Sequence, residues 1–144
     1  MATTRATHKS EIKAIIDSIG LSGVTVTSTR KSVYDTTYTV LIDSGSMQIE
    51  RVDTQTDLYT MAYNIHVIAA LNDSEAEQNA SIDRVDVIVL DIVKKMRETA
   101  SQDTQYWIDS NLTVSALHNG EKIGLSDNML VQTITVSIQQ EESH

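Results

Sequence analysis

The sequence predicts an α+β domain: a mixed, mostly antiparallel sheet with two helices packed on one face. Three observations carry that expectation. The run Leu58-Tyr-Thr-Met-Ala-Tyr-Asn-Ile-His-Val-Ile-Ala-Ala-Leu71 places Tyr59, Met61, Tyr63, Ile65, Val67, Ala69 and Leu71 at every second position, the period of one long strand. Only two stretches, one before it and one after it, carry apolar residues at helical spacing. The links among the early strand candidates are short enough for hairpins, which join antiparallel neighbours.

The totals agree with a single ordered domain. The chain has 144 residues, 40% of them hydrophobic, and no proline or cysteine. That length suffices for a core, and without proline nothing forces a strand ladder to break. Absent cysteine removes disulfides and the commonest zinc sites. We take residues 1–144 as one domain that frays from about residue 140.

In chain order, residues 8–19 read as a helix. Ile12, Ile15, Ile16 and Ile19 form its stripe, Thr7 or Ser10 caps it, and Gly20 ends it. Val24 to Thr27 is a short strand, followed by a charged turn at Arg30 and Lys31. Val33 to Ile42 is the next strand, with Tyr34, Thr36, Tyr38, Val40 and Ile42 on one face. Asp43 to Ser46 reads as a turn cluster, and Met47 to Val52 as a further strand. Residues 53–57 lead into the long run at 58–71. At about 3.3 Å per residue that run extends roughly 45 Å, longer than an ordinary strand.

The second helix starts at Ser74, with Glu77 three residues on as a capping box, or at Ser81 after a break near Asn79. Ile82, Val85, Ile88, Val89, Ile92, Val93 and Met96 are its stripe. Lys94, Lys95 and Arg97 suit the negative end of its dipole. Residues 106–117 read as one strand with Ile108, Leu112, Val114 and Ala116 on its even face. Asn119-Gly120 signals a tight turn. Residues 121–128 form a loop or a short strand around Ile123, and Met129 to Gln139 are the last strand.

No motif announces chemistry. His8, His66, His118 and His144 are scattered, and His66 reads as a strand histidine facing polar neighbours. Asp83, Asp86 and Asp91 punctuate a helix as solvated residues do. The five glycines form neither a phosphate cradle nor a nucleophile elbow. No catalytic residue, metal site or cofactor is expected. Net charge is −9, which repels phosphate backbones and anionic lipid. The N-terminus lacks the apolar core of a signal peptide, and no apolar run reaches the ~20 residues of a membrane span. We expect a cytosolic product.

An acidic chain with this order of elements resembles the tail terminator and tail-completion (neck) proteins of long-tailed bacteriophages. The residues that carry the resemblance are the opening helix ending at Ile19-Gly20, the Tyr34 to Ile42 strand, the run from Asp57 through Leu71 and the closing Leu130 to Ile138 strand. The resemblance implies a structural virion protein, assembled in the host cytoplasm, that forms a hexameric ring at the head-proximal end of the tail tube. Such a ring stops tube polymerisation and meets the head-tail connector, and DNA passes through its lumen without specific binding. It implies no catalytic residues and no cofactor.

Physical reasoning is compatible with this. A long strand projecting beyond its own core could pair with a neighbour and extend sheets around a ring. An acidic lumen lets DNA slide. The expected tube or subunit contacts are Glu50, Arg51 and Asp53, in the 43–57 segment, with Arg30 and Lys31. The same pattern also suits a head-tail connector or stopper, another tail subunit, or a small monomeric protein-binding domain. An enzyme using scattered carboxylates is a further class.

Overall fold

The computed structural model describes residues 5–29, 38–70, 74–99, 107–108, 112–125 and 128–143. Its elements are α1 (Arg5–Asp17), β1 (Val24–Thr27), β2 (Tyr38–Arg51), β3 (Thr56–Ala70), α2 (Glu75–Glu98), β4 (Trp107–Ile108), β5 (Thr113–Val114), β6 (His118–Asn119), a 3-10 turn (Gly120–Ile123) and β7 (Met129–Ser143). The strands make one mixed sheet in the order β1-β2-β3-β7-β4, with β5 and β6 also along the outer edge of β7. All pairs are antiparallel except β1 with β2. This is the predicted α+β class.

Both helices lie on one face, and the alternation in the strands explains why. Val40 and Ile42 of β2, Met61, Tyr63, Ile65, Val67 and Ala69 of β3, and Ile134, Val136 and Ile138 of β7 point to the same side. They bury against Ile12 and Ile16 of α1 and Val85, Ile88, Val89, Ile92 and Met96 of α2. The opposite face carries a smaller cluster of Leu41, Ile68, Leu125, Met129 and Val131, covered in part by Ile123 of the 3-10 turn. No described helix is long and apolar enough to cross a membrane.

Several expectations are corrected. α1 begins at Arg5, so Thr7 and Ser10 lie within it and do not cap it. β1 and β2 are parallel, not a hairpin. The ten residues between Thr27 and Tyr38 are enough to carry the chain back along a four-residue strand. The Arg30-Lys31 turn and Tyr34 and Thr36 fall outside the described residues, as does Leu71.

Asp43 to Ser46 is not a turn. β2 continues through it with a register shift between Ser44 and Met47. Two residues of β2, Gly45 and Ser46, there oppose Ala62 alone, which is a β-bulge. The predicted strands on either side are therefore one strand. The turn comes later, at Val52 to Gln55. Both Val52 N–H and Asp53 N–H reach the Thr56 carbonyl there, at 3.0 and 3.3 Å, and Asp53 Oδ1 accepts from Gln55 N–H at 2.7 Å.

α2 starts once, after Ser74, whose hydroxyl accepts from Glu77 N–H at 3.5 Å. There is no break near Asn79, and Ser81 is buried inside the helix. The 106–117 strand is interrupted. β4 and β5 each pair with β7, in registers two residues apart, so one unbroken ladder cannot form. Of its even face, Ile108 is buried and Leu112 packs on the core, whereas Val114 and Ala116 are exposed. Asn119 caps the 3-10 turn through Glu121 N–H instead of closing a hairpin, and Gly124 ends that turn with φ +78°. The chain does not fray at residue 140. β7 runs to Ser143, paired with the start of β3, and Gln140 is only 2% exposed.

The long strand is present and reaches Thr56–Ala70, but it does not offer an edge. β2 flanks it from Asp57 to Ala69 and β7 from Thr56 to Ala70. Both of its backbone sides are satisfied within the chain, so β3 itself cannot pair with a neighbour. Any extension of the sheet must use β2 or β7.

Candidate assembly surface

The sheet outruns its helices. β3 has 15 residues and α2 has 24. At about 3.3 Å and 1.5 Å per residue these are roughly 50 Å and 36 Å. α2 follows β3 in the chain and packs against the sheet, and at these lengths it is too short to cover β3 from end to end. The distal parts of β2, β3 and β7 form a projecting three-stranded ribbon. Burial records the change: β2 is buried from Thr39 to Ile42 and exposed from Ser46 to Arg51, while β3 is only half-buried from Thr56 to Thr60.

The bulge sets what the ribbon displays. Past it, Met47 pairs with Met61, Ile49 with Tyr59, and Arg51 with Asp57. The extra residue keeps Met47 and Ile49 on the helix side even though their numbers are odd, whereas Val40 and Ile42 before the bulge are even. The apolar face of the core thus continues onto the ribbon after the helices have ended. Met47 is 48% exposed, Ile49 59% and Val52 54%.

The predicted contact residues divide. Glu50, Arg51 and Asp53 are all exposed and sit together at the hairpin tip. Arg51 Nε lies 3.6 Å from Asp57 Oδ1 across the strands. Asp53 has a structural task as well, since its carboxylate holds the turn. Arg30 and Lys31 lie outside the described residues. Sequence reasoning missed Met47, Ile49 and Val52 as surface groups, because alternation marks a strand's apolar side without showing where its cover stops.

Among the described residues the outer edges of the ribbon carry little pairing. β1 pairs with β2 only as far as Leu41, and β4 meets β7 at Gln139 and Ile138. Among the described residues nothing pairs with the outer side of β2 beyond Leu41 or of β7 beyond Gln139. A strand edge of this length, without proline, is a template for another chain.

A second exposed region lies on α2. Val87 and Leu90 are 46% and 66% exposed, off the stripe that meets the sheet. Leu90, Val93, Lys94, Arg97 and Glu98 line a shallow cleft of about 450 Å³ toward the helix C-terminus. The spacing of Val87 and Leu90, three apart and outside the buried set, was a readable signal for a second apolar strip.

His66 is buried, with Nδ1 2.7 Å from Thr133 Oγ1 and Nε2 4.0 Å from Asp43 Oδ2, so it does face polar neighbours as the sequence suggests. Thr135 Oγ1 donates to Asn64 Oδ1 at 3.1 Å beside it. Among the described residues no group of three or more His, Asp or Glu side chains is placed to hold a metal ion. No protein-family model matches the chain, and no curated protein matches its sequence.

Proposed function

We propose that the protein is a structural subunit of a ring at the head-proximal end of a phage tail tube. In that role it ends tube polymerisation, joins the tail to the head connector and performs no catalysis. The observation that carries the reading is the projecting ribbon, with exposed Met47, Ile49 and Val52 and, among the described residues, little pairing on the outer edges of β2 and β7. A monomer gains nothing from leaving Met47, Ile49 and Val52 of this hairpin open to water. A subunit that closes on copies of itself buries them, and a head-to-tail contact repeated by rotation makes a ring. The surplus of carboxylates, net −9, suits a lumen through which DNA moves without sticking. The tube protein and the connector are the remaining partners of this reading, and the virion its location.

Sedimentation velocity and native mass spectrometry test it. A closed ring of six gives a species near six times 15.9 kDa, with no intermediate series at high concentration. A protein that stays at 15.9 kDa up to about millimolar concentration, where even weak contacts of about 4 kcal/mol populate, is a monomeric domain and overturns the proposal.

A further inference from the structure

We propose that two copies of this chain pair through the outer face of α2, antiparallel about a twofold axis. The contact goes beyond the ring reading and does not depend on it. Leu90 is 66% exposed, the most open large hydrophobic side chain among the described residues, and Val87 beside it is 46% exposed. Asp83 and Lys94 are exposed as well. At 3.6 residues per turn, Asp83, Val87, Leu90 and Lys94 fall within an arc of about 60°. They make one stripe about 16 Å long, acidic at its N-terminal end, apolar in the middle and basic at its C-terminal end. The Asp83 and Lys94 side chains form no ion pair among the described residues. The other side of α2, with Val85, Ile88 and Ile92, is already committed to the sheet.

The stripe is its own complement. Turned end for end on a copy of itself, it sets Asp83 of one helix opposite Lys94 of the other, and Val87 opposite Leu90. The same patch serves both copies, so the twofold axis makes each of these pairs twice. A parallel arrangement in register would set like charges on each other instead. The flanks agree with reversal. Arg97 and Glu98 come opposite Ala80 and Asn79, which carry no charge. Asp86 and Asp91 lie on opposite flanks of the stripe, so reversal does not bring one onto the other. Opposite charges at both ends of an apolar centre fix the partner and the register.

Charge exchange tests this by sedimentation velocity. One variant carries Asp83→Lys, a second Lys94→Glu, and a third carries both. Either single change places like charges at both ends of the stripe, and pairing should then need at least about tenfold more protein than in the wild type. The third variant restores opposite charges with the ends exchanged, and a one-to-one mixture of the first two does the same. Both should pair as the wild type does. The two positions are exposed, and an unchanged thermal midpoint establishes that each variant folds.

The wild type should sediment as a pair or, where ring contacts also hold, at twice the ring mass, and each single variant should halve that mass. A single variant that pairs like the wild type, or a third variant that stays dissociated, overturns the α2 contact. A mass of six subunits shared by the wild type and every variant does so while leaving the ring standing. Single variants at 15.9 kDa, with the third variant back at a pair, keep the contact and overturn the ring. A wild type that is monomeric up to about millimolar concentration overturns both.

Discussion

The most telling single residue is Tyr63, fully buried at the centre of β3. Its hydroxyl is hydrogen-bonded to His8 Nδ1 at 2.6 Å, tying α1 to the sheet, and the two rings meet edge to face. Burial pushes its pKa from 10.0 up to about 12, against the opposing pull of the Arg5 cation over its ring. The raised value means that between pH 10 and 12 the unfolded chain loses this proton while the folded chain keeps it. The contribution is complete below pH 10 and is lost as pH rises to about 12, a change of roughly 2–3 kcal/mol. Tyr63→Phe removes the hydroxyl partner of His8 and should cost about 1–3 kcal/mol at neutral pH. Urea unfolding across pH 8–12 checks both, since the wild-type advantage over the variant should shrink through that window. His8 and Tyr63 are 55 positions apart, and nothing in the spacing of either joins them.

Among the elements, the bulge in β2 decides most. Gly45 lies where an added Cβ would come within 3.1 Å of the Ala62 carbonyl oxygen and 3.4 Å of Ala62 Cβ. Gly45→Ala should therefore lower stability by about 1 kcal/mol. Ala62→Gly should not restore it, because the tightest contact is with backbone. A urea midpoint series on the two single variants and the double variant measures this, and full rescue would show that the side chain is the obstacle. The residues Asp43-Ser-Gly-Ser46 are typical of turns, which is why they predict one. In the folded chain the pairing on both sides overrides local preference, and the same small residues become the place where the ladder slips by one.

At the scale of the whole molecule, the ribbon is the part whose absence the core should tolerate. Met47 and Met61 are partners across β2 and β3, so residues 48–60 can be replaced by Asn-Gly, a two-residue hairpin turn. The helix-facing core of Val40, Ile42, Tyr63, Ile65 and Val67 keeps its pairing. We expect this shortened protein to retain cooperative thermal unfolding and its helical circular dichroism, and to sediment without forming a ring under conditions in which the full chain assembles. Rings formed by the shortened chain would place the assembly surface elsewhere.

The sequence by itself determined the class of the fold, the long strand (read as 58–71, observed at Thr56–Ala70), both helical stripes and the apolar side of each strand. These depend on periodicity, which local geometry imposes on every residue. It also grouped Glu50, Arg51 and Asp53 within one segment, 43–57, though it put the turn of that segment at 43–46. Only the tertiary structure decided that β1 and β2 run parallel, that β7 continues to Ser143, and that β3 has no free edge. Those outcomes depend on which distant segment satisfies a strand's backbone, a choice that hydrogen bonding makes after the chain has closed. It alone decided, too, where the helices stop covering the sheet. Met47 and Ile49 have the same pattern as core residues, and they are surface because α2, at 1.5 Å per residue, ends before β3 does.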